Sequence, residues 1–174
     1  WICEKGHEWK ASVMNRTRRG DGCPYCSNRK VLAGFNDLAT IAPGVAAQWH
    51  PSRNGSLTPQ DVVAGSSRKV WWQCPLGHEW ESVISKRVLR QDKCPYCVNR
   101  RVWPGFNDLA TLEPEIAAQW HPALNGSLTA HTVLAGSNRY AWWICHEGHV
   151  WRTIIANRTS PRSRSGCPVC AGNV

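Results

Sequence analysis

Apolar residues along this chain come in short bursts separated by turn formers, and the bursts predict short elements. Arg68-Lys69-Val70-Trp71-Trp72, rich in β-branched and aromatic side chains, reads as a strand, and Trp142-Trp143 sit on its counterpart. Glu8 to Met14 reads as another extended stretch. Between the strands the pattern turns helical. Asn36 or Asp37 can cap a short helix over Leu38-Ala39-Thr40-Ile41, and Pro43 can open a second that runs from Gly44 to His50 and stops near Pro51. Asn54-Gly55 marks a turn, and Thr58-Pro59-Gln60-Asp61 has the cap and first-turn proline of a further helix start. No stretch approaches the ~20 apolar residues of a membrane span, and there is no signal-peptide pattern.

The elements repeat. Cys3, Cys74 and Cys145 are spaced by 71 residues, and each opens a Cys-x3-His turn that is answered by a Cys-Pro-x-Cys pair. Residues 31–70 aligned on 102–141 give 25 identities in 40, including Gly-Phe-Asn-Asp-Leu-Ala-Thr, Ala-Ala-Gln-Trp-His-Pro and Asn-Gly-Ser-Leu-Thr. A flexible tether needs no such detail, so these segments are expected to fold. Five stretches follow: metal modules at 1–30, 71–101 and 142–174, with helical connectors at 31–70 and 102–141. The chain opens at Trp1, inside the element where Trp72 and Trp143 stand, which reads as a piece of a longer protein.

The nine cysteines cannot all pair as disulfides, but with three repeated histidines they divide into three Cys3His sets. The expected ligands are Cys3, His7, Cys23 and Cys26; Cys74, His78, Cys94 and Cys97; and Cys145, His149, Cys167 and Cys170. A two-residue gap lets both sulfurs of a pair reach one ion at about 2.3 Å, and Gly6 supplies the sharp bend that the first turn needs. Four protein ligands close a tetrahedron, whereas catalytic zinc keeps a position open for water. Three structural zinc ions in a reducing, cytoplasmic setting are therefore expected. His146, beside Cys145 but off the spacing, reads as a bystander.

Charge then changes the picture. The net +9 is distributed as +4, +3 and +3 on the three modules, against +1 and −2 on the connectors. Zinc thiolate sites take away about one charge each, which leaves a chain still basic enough for a polyanion. The cations concentrate between the two ligand pairs. Asn15, Lys86 and Asn157 occupy equivalent positions, each followed by an arginine: Arg16, Arg87 and Arg158. Further cations there are Arg18 and Arg19, Arg90 and Lys93, and Arg162 and Arg164; Arg29-Lys30 and Arg100-Arg101 follow the second knuckle. Recurrence of one arginine in every unit points to a phosphate contact, with base reading expected at the varying neighbours Thr17, Val88 and Thr159, and Arg18, Leu89 and Ser160.

Two other features have plainer readings. The paired tryptophans present rings to opposite faces of a strand, one covering a zinc knuckle and one packing on a connector through Trp49 or Trp120. A base-stacking platform is the functional alternative. His50 and His121, with Asp37 or Asp108, suggest a nuclease, yet a helix-terminal histidine beside the dipole accounts for them, and no carboxylate cluster accompanies them.

Trp-x-Cys-x3-His-x-Trp, a basic stretch, Cys-Pro-x-Cys, Gly-Phe-Asn-Asp-Leu-Ala-Thr and Gln-Trp-His-Pro together resemble the bacterial probable zinc-ribbon domain family, over nearly the whole chain. The resemblance implies tandem zinc ribbons or treble-clef-like fingers associated with nucleic acid, in some members fused to endonuclease-like domains. The third module departs from the pattern in its longer loop and missing Asn-Arg pair. The expected fold is a small α+β array of β-hairpins with two zinc knuckles, joined by short helical connectors. The expected function is non-enzymatic binding of double-stranded DNA in a nucleoid-associated setting, through basic hairpin loops. A protein-interaction scaffold and the targeting portion of a nuclease system are the alternatives.

Overall fold

The computed structural model describes residues 1–162 and 164–173; Ser163, within the longer loop expected from Ser160 to Gly166, and Val174 lie outside the described residues. The chain divides into two units, Trp1–Cys94 and Pro95–Val174.

The first unit begins with an irregular metal module. Only an isolated Ile2–Glu8 bridge forms where a strand from Glu8 to Met14 was expected, because Ser12 stops extension. Its hydroxyl accepts the Asn15 amide and caps helix α1, Val13–Thr17. In the connector, Asp37 caps α2 (Leu38–Ile41), and Pro43 opens α3 (Pro43–Ala46). That second helix is shorter than the sequence suggests. The backbone beyond it extends instead, with Gln73 donating to the Gln48 carbonyl (2.8 Å) and His50 to that of Trp71 (3.1 Å). Trp49 thereby bridges to Trp72 as a rudimentary extra strand. Pro59–Asp61 make a single 3-10 turn, closed by a reciprocal cap between Thr58 and Asp61.

The hairpin follows. Strand β1 (Lys69–Gln73) pairs antiparallel with β2 (Glu79–Val83), with Trp72 opposite Trp80. Alternation puts Val70, Trp72 and Trp80 inside. Trp72 is fully buried, edge-on to Trp49 at 5.5 Å. Trp71 faces outward under the Arg53 guanidinium, 3.4 Å from its ring centre. Thus the connector ring packs on the inward tryptophan, and the outward one is covered by a cation. Strand β2 runs straight into α4, Ile84–Leu89.

The second unit repeats this plan with α5 (Leu109–Leu112) capped by Asp108, α6 (Pro114–Ala117), β3 (Tyr140–Ile144), β4 (Val150–Ile154) and α7 (Ile155–Thr159). Its core gathers Leu109, Ile116, Val133, Ala141, Trp143 and Ile155. Trp143 is fully buried, 5.3 Å from Trp120. In every module the segment between the ligand pairs contains a short helix, α1, α4 or α7, which in the second and third modules follows the strand β2 or β4. The expected basic hairpin loop is corrected accordingly. One residue of this architecture exceeds its turn signal: Asn54 accepts from the Trp71 amide (2.8 Å) and donates to its carbonyl (2.9 Å), and Asn125 does the same with Trp142. A side-chain amide here substitutes for a neighbouring strand.

Candidate metal centres

Each Cys-x3-His turn is held by its own backbone. The Cys74 amide donates to the His78 carbonyl (3.0 Å), and the Gly77 amide to the Cys74 carbonyl (2.9 Å). Gly77 stands at φ +80, with Gly6 at +78 and Gly148 at +82, a region that side-chain-bearing residues rarely enter. The second knuckle closes by Arg29 and Arg100 amides donating to the carbonyls of Pro24 and Pro95, both at 2.8 Å. Asn28 and Asn99 are left-handed there, and Gly172 takes that conformation in the third module. The missing Asn-Arg pair is therefore no loss of the turn.

These turns bring three groups together: Cys3, His7, Cys23 and Cys26; Cys74, His78, Cys94 and Cys97; Cys145, His149, Cys167 and Cys170, each with its ligand atoms within 4.8 Å of one another. Tetrahedral zinc with sulfur at about 2.3 Å and nitrogen at about 2.05 Å requires S···S near ~3.8 Å and S···N near ~3.5 Å. Cys3 and Cys26 sulfurs stand 3.8 Å apart, as do those of Cys145 and Cys170. His7 Nδ1 lies 3.3 Å from Cys26 Sγ and 3.6 Å from Cys23 Sγ, and His78 Nδ1 lies 3.4 Å from Cys74 Sγ and 3.7 Å from Cys94 Sγ. His149 Nδ1 is 3.3 to 3.8 Å from its three sulfurs. Such separations suit an ion between the ligands, and 3.8 Å is far beyond a disulfide's ~2.05 Å. Each set holds one structural zinc, with Nδ1 as the histidine donor.

The surroundings are built to hold the ligands. Tyr25 and Phe35 stand edge-on to the His7 ring at 5.8 and 4.2 Å. Asn36 accepts the Leu32 amide (2.7 Å) and donates to the carbonyls of Tyr25 and Lys30, both 2.9 Å. Because Tyr25 lies between Cys23 and Cys26, one buried amide clamps the connector onto the zinc knuckle. Asn107 makes the same contacts with Trp103, Tyr96 and Arg101. The neighbouring aspartate has the other task. Asp37 accepts from Gly34 (2.7 Å), the Thr40 amide (3.0 Å) and the Thr40 hydroxyl (2.7 Å). Burial would raise its carboxyl, yet these bonds from Thr40 and Gly34 outweigh it and hold Asp37 below the usual carboxylate range. Asp108 is held low in the same way.

The recurring arginines prove to be internal. Arg87 and Arg158 are each only 4% exposed. Arg87 lies between Trp72 and Trp80, 5.1 and 5.2 Å from the ring centres, and donates to Gln48 Oε1 (2.6 Å) and the Asp92 carbonyl. Arg158 lies between Trp143 and Trp151 and donates to Gln119 Oε1 at 2.8 Å. Half-buried Arg16 is flanked likewise by Trp1 and Trp9 and bonds the Asp21 carbonyl. The phosphate contacts expected at Arg87 and Arg158 are thus corrected, since phosphate cannot reach a guanidinium enclosed by two indoles. The equivalent Arg16 is given over to the same internal role. Burial lowers the Arg87 pKa, and charge at Cys94, Asp92 and Cys74 partly restores it. The guanidinium therefore also offsets the negative charge of the thiolate site. Strict recurrence signals this packing, which sequence spacing alone does not separate from ligand contact.

The remaining cations stand outside. Arg18, Arg19, Arg29, Lys30, Lys86, Arg90, Lys93, Arg100, Arg101, Arg162 and Arg164 are exposed, as is Asn157, while Asn15 is half-buried. Of these, Arg29 pairs with Asp21 (3.2 Å) and Arg164 with Glu113 (2.8 Å). Base reading at Thr159 is corrected: it is buried, its hydroxyl bonded to the Ala135 carbonyl at 2.7 Å. His50 is buried too. Its Nδ1 accepts the Ser52 and Arg53 amides, and its Nε2 lies 3.0 Å from Glu79 Oε1. It caps the following turn rather than a helix dipole, and His121 accepts from Ala123 and Leu124 in the same manner. His146 lies 3.0 Å from Glu147, outside the third ligand set.

No helix among the described residues is long and apolar enough to cross a membrane. Comparison with curated proteins finds no match. With three Cys3His centres on one repeated scaffold, and with a sequence pattern matched over residues 1–29, 45–100 and 116–173, the chain belongs to the family described as the probable treble clef zinc finger domain.

Proposed function

We propose that the protein binds double-stranded DNA without catalysing a reaction, in the cytoplasm at the nucleoid. The observation that carries this reading is the placement of exposed cations. Lys86 lies on the zinc-pinned helix, and Arg18 and Arg19, Arg90 and Lys93, and Arg162 follow that helix in successive modules, with no acidic partner among the described residues. Lys30, Arg100 and Arg101 add charge behind the second knuckle. Zinc and the buried arginines hold the helices; the exposed cations meet phosphates. Titration with duplex DNA across a salt series tests this. Log affinity should fall linearly with log salt, and Lys86→Ala should reduce the slope by about 0.9. Competition with single-stranded DNA and RNA decides among the polyanions, and absence of salt-sensitive binding to any of them overturns the reading.

A protein-interaction scaffold is the second reading, favoured by Val13, Met14 and Leu89, which expose 67%, 57% and 74% of their surface on α1 and α4. Binding of a protein that survives charge reversal at Arg18, Arg19, Lys86 and Arg90 would support it.

A further inference from the structure

A basic cleft of about 250 Å³ lies in the second unit, away from the metal ligands. Arg100, behind the second knuckle, and Thr132, Ser137 and Arg139 of the connector line it over Val102 and Val133. Arg100 and Arg139 are exposed and have no carboxylate partner among the described residues. Ser137 Oγ accepts the Arg139 amide at 3.2 Å, which leaves its proton for a ligand. Asp108, which bridges to the lining residue Leu134, is fully buried and held by Gly105, Thr111 and His131. Two guanidiniums and a hydroxyl donor around one small concavity, without a carboxylate in its lining, suit a single phosphate group.

The repeat makes the same argument in reverse. Shifting by 71 residues, Arg29, Val31, Val62, Ser66 and Arg68 occupy the positions of Arg100, Val102, Val133, Ser137 and Arg139. The one change of charge is Asp61 in place of Thr132. Arg29 is moreover drawn away to Asp21 Oδ1 (3.2 Å) and the Gly22 carbonyl (3.1 Å). The first copy keeps the scaffold but neutralises its charge.

We infer that the cleft between Arg100 and Arg139 is a phosphodiester subsite, at which the connector, and not only the zinc module, grips the nucleic-acid backbone. The identity of the ligand rests on the nucleic-acid reading above. Arg139, which charge segregation between modules and connectors concealed, is the cation that the connector supplies to the cleft.

Two variants test it. Arg139→Ala removes one donor group. Thr132→Asp adds a carboxylate while keeping the cap: Thr132 Oγ1 accepts the Thr129 amide at 3.0 Å, and Asp61 does the same for Thr58 at 2.9 Å. Thermal unfolding of Thr132→Asp should match wild type. Both variants should weaken duplex binding several-fold and lower the salt slope by about 0.9. Arg68→Ala, in the neutralised copy, should change it less. If wild type binds DNA with a salt slope that both variants retain, the cleft is refuted and the nucleic-acid reading stands. If wild type ignores DNA and RNA, but inorganic phosphate shifts the Arg139 side-chain NMR signals and Arg139→Ala abolishes the effect elsewhere in the cleft, the anion site stands with free phosphate as its ligand. Silence in both assays overturns both.

Discussion

Arg87 Nη2 donates to Gln48 Oε1 across 2.6 Å, joining the helix of one zinc module to the connector before it. Arg158 and Gln119 repeat the contact at 2.8 Å. Two charge–π contacts at about 0.5–2 kcal/mol each and a charged hydrogen bond make the arginine a stability residue. Arg87→Ala should cost about 3 kcal/mol and Gln48→Ala about 2, with the double variant less than their sum, as measured by denaturant unfolding of the zinc-loaded protein. Arg87→Lys should also lose most of this, because an ammonium lacks the planar fork.

Neighbouring residues should separate stability from binding. Lys86→Ala is expected to leave the unfolding midpoint within about 0.5 kcal/mol of wild type and to reduce the salt slope for DNA. Arg87→Ala should do the opposite: under conditions where it remains folded, its slope stays at the wild-type value. A lowered slope for Arg87→Ala would mean that the buried guanidinium reaches phosphate after all.

Asn107→Ala strips partners from the Tyr96 and Arg101 carbonyls and the Trp103 amide at once. Buried groups left unsatisfied cost about 1–3 kcal/mol each at most, so a loss near 3 kcal/mol is expected. Hydrogen exchange should show the knuckle amides, Arg100 above all, opening faster than those of β3 and β4.

Asp37 gives a pH signature. Its folded pKa lies below the unfolded value, so it contributes stability fully present above about pH 4 and lost as pH falls through the folded pKa. Asp37→Asn should therefore be less stable than wild type at neutral pH, and the gap should close only in acid. Carboxyl-carbon NMR titration of Asp37 and Asp108 should place both below the ordinary range, with a normal or raised value contradicting the hydrogen-bond arrangement.

Chelation should dismantle the modules, since small zinc folds draw their folding free energy from the metal. Native mass spectrometry should count three zinc ions per chain, and their removal should change the emission of Trp72 and Trp143 as these buried rings become wet. Cys94→Ser is expected to lose one ion and to loosen the hairpin that carries Trp72 and Trp80.

By itself, the sequence determined the metal ligands, the number of metal centres, a cap at Asn36 or Asp37 and the β1 strand. Each of these rests on local spacing: a two- or three-residue gap brings ligands to one ion, a cap acts within one turn, and alternation fixes the buried face of a strand. What needed the tertiary structure is every role decided by a distant partner. Arg87 and Arg90 share a charge and a short segment, yet only Arg87 meets Trp72, Trp80 and Gln48, and becomes internal. Asn36 reads as a cap and proves to be a clamp on Tyr25, because the knuckle eleven residues earlier folds back over it. His50, a plausible base in the sequence, spends its ring on the turn at Ser52 and Arg53. A side chain's type states what it can do; its burial and partners, set by contacts far along the chain, determine which of those it does.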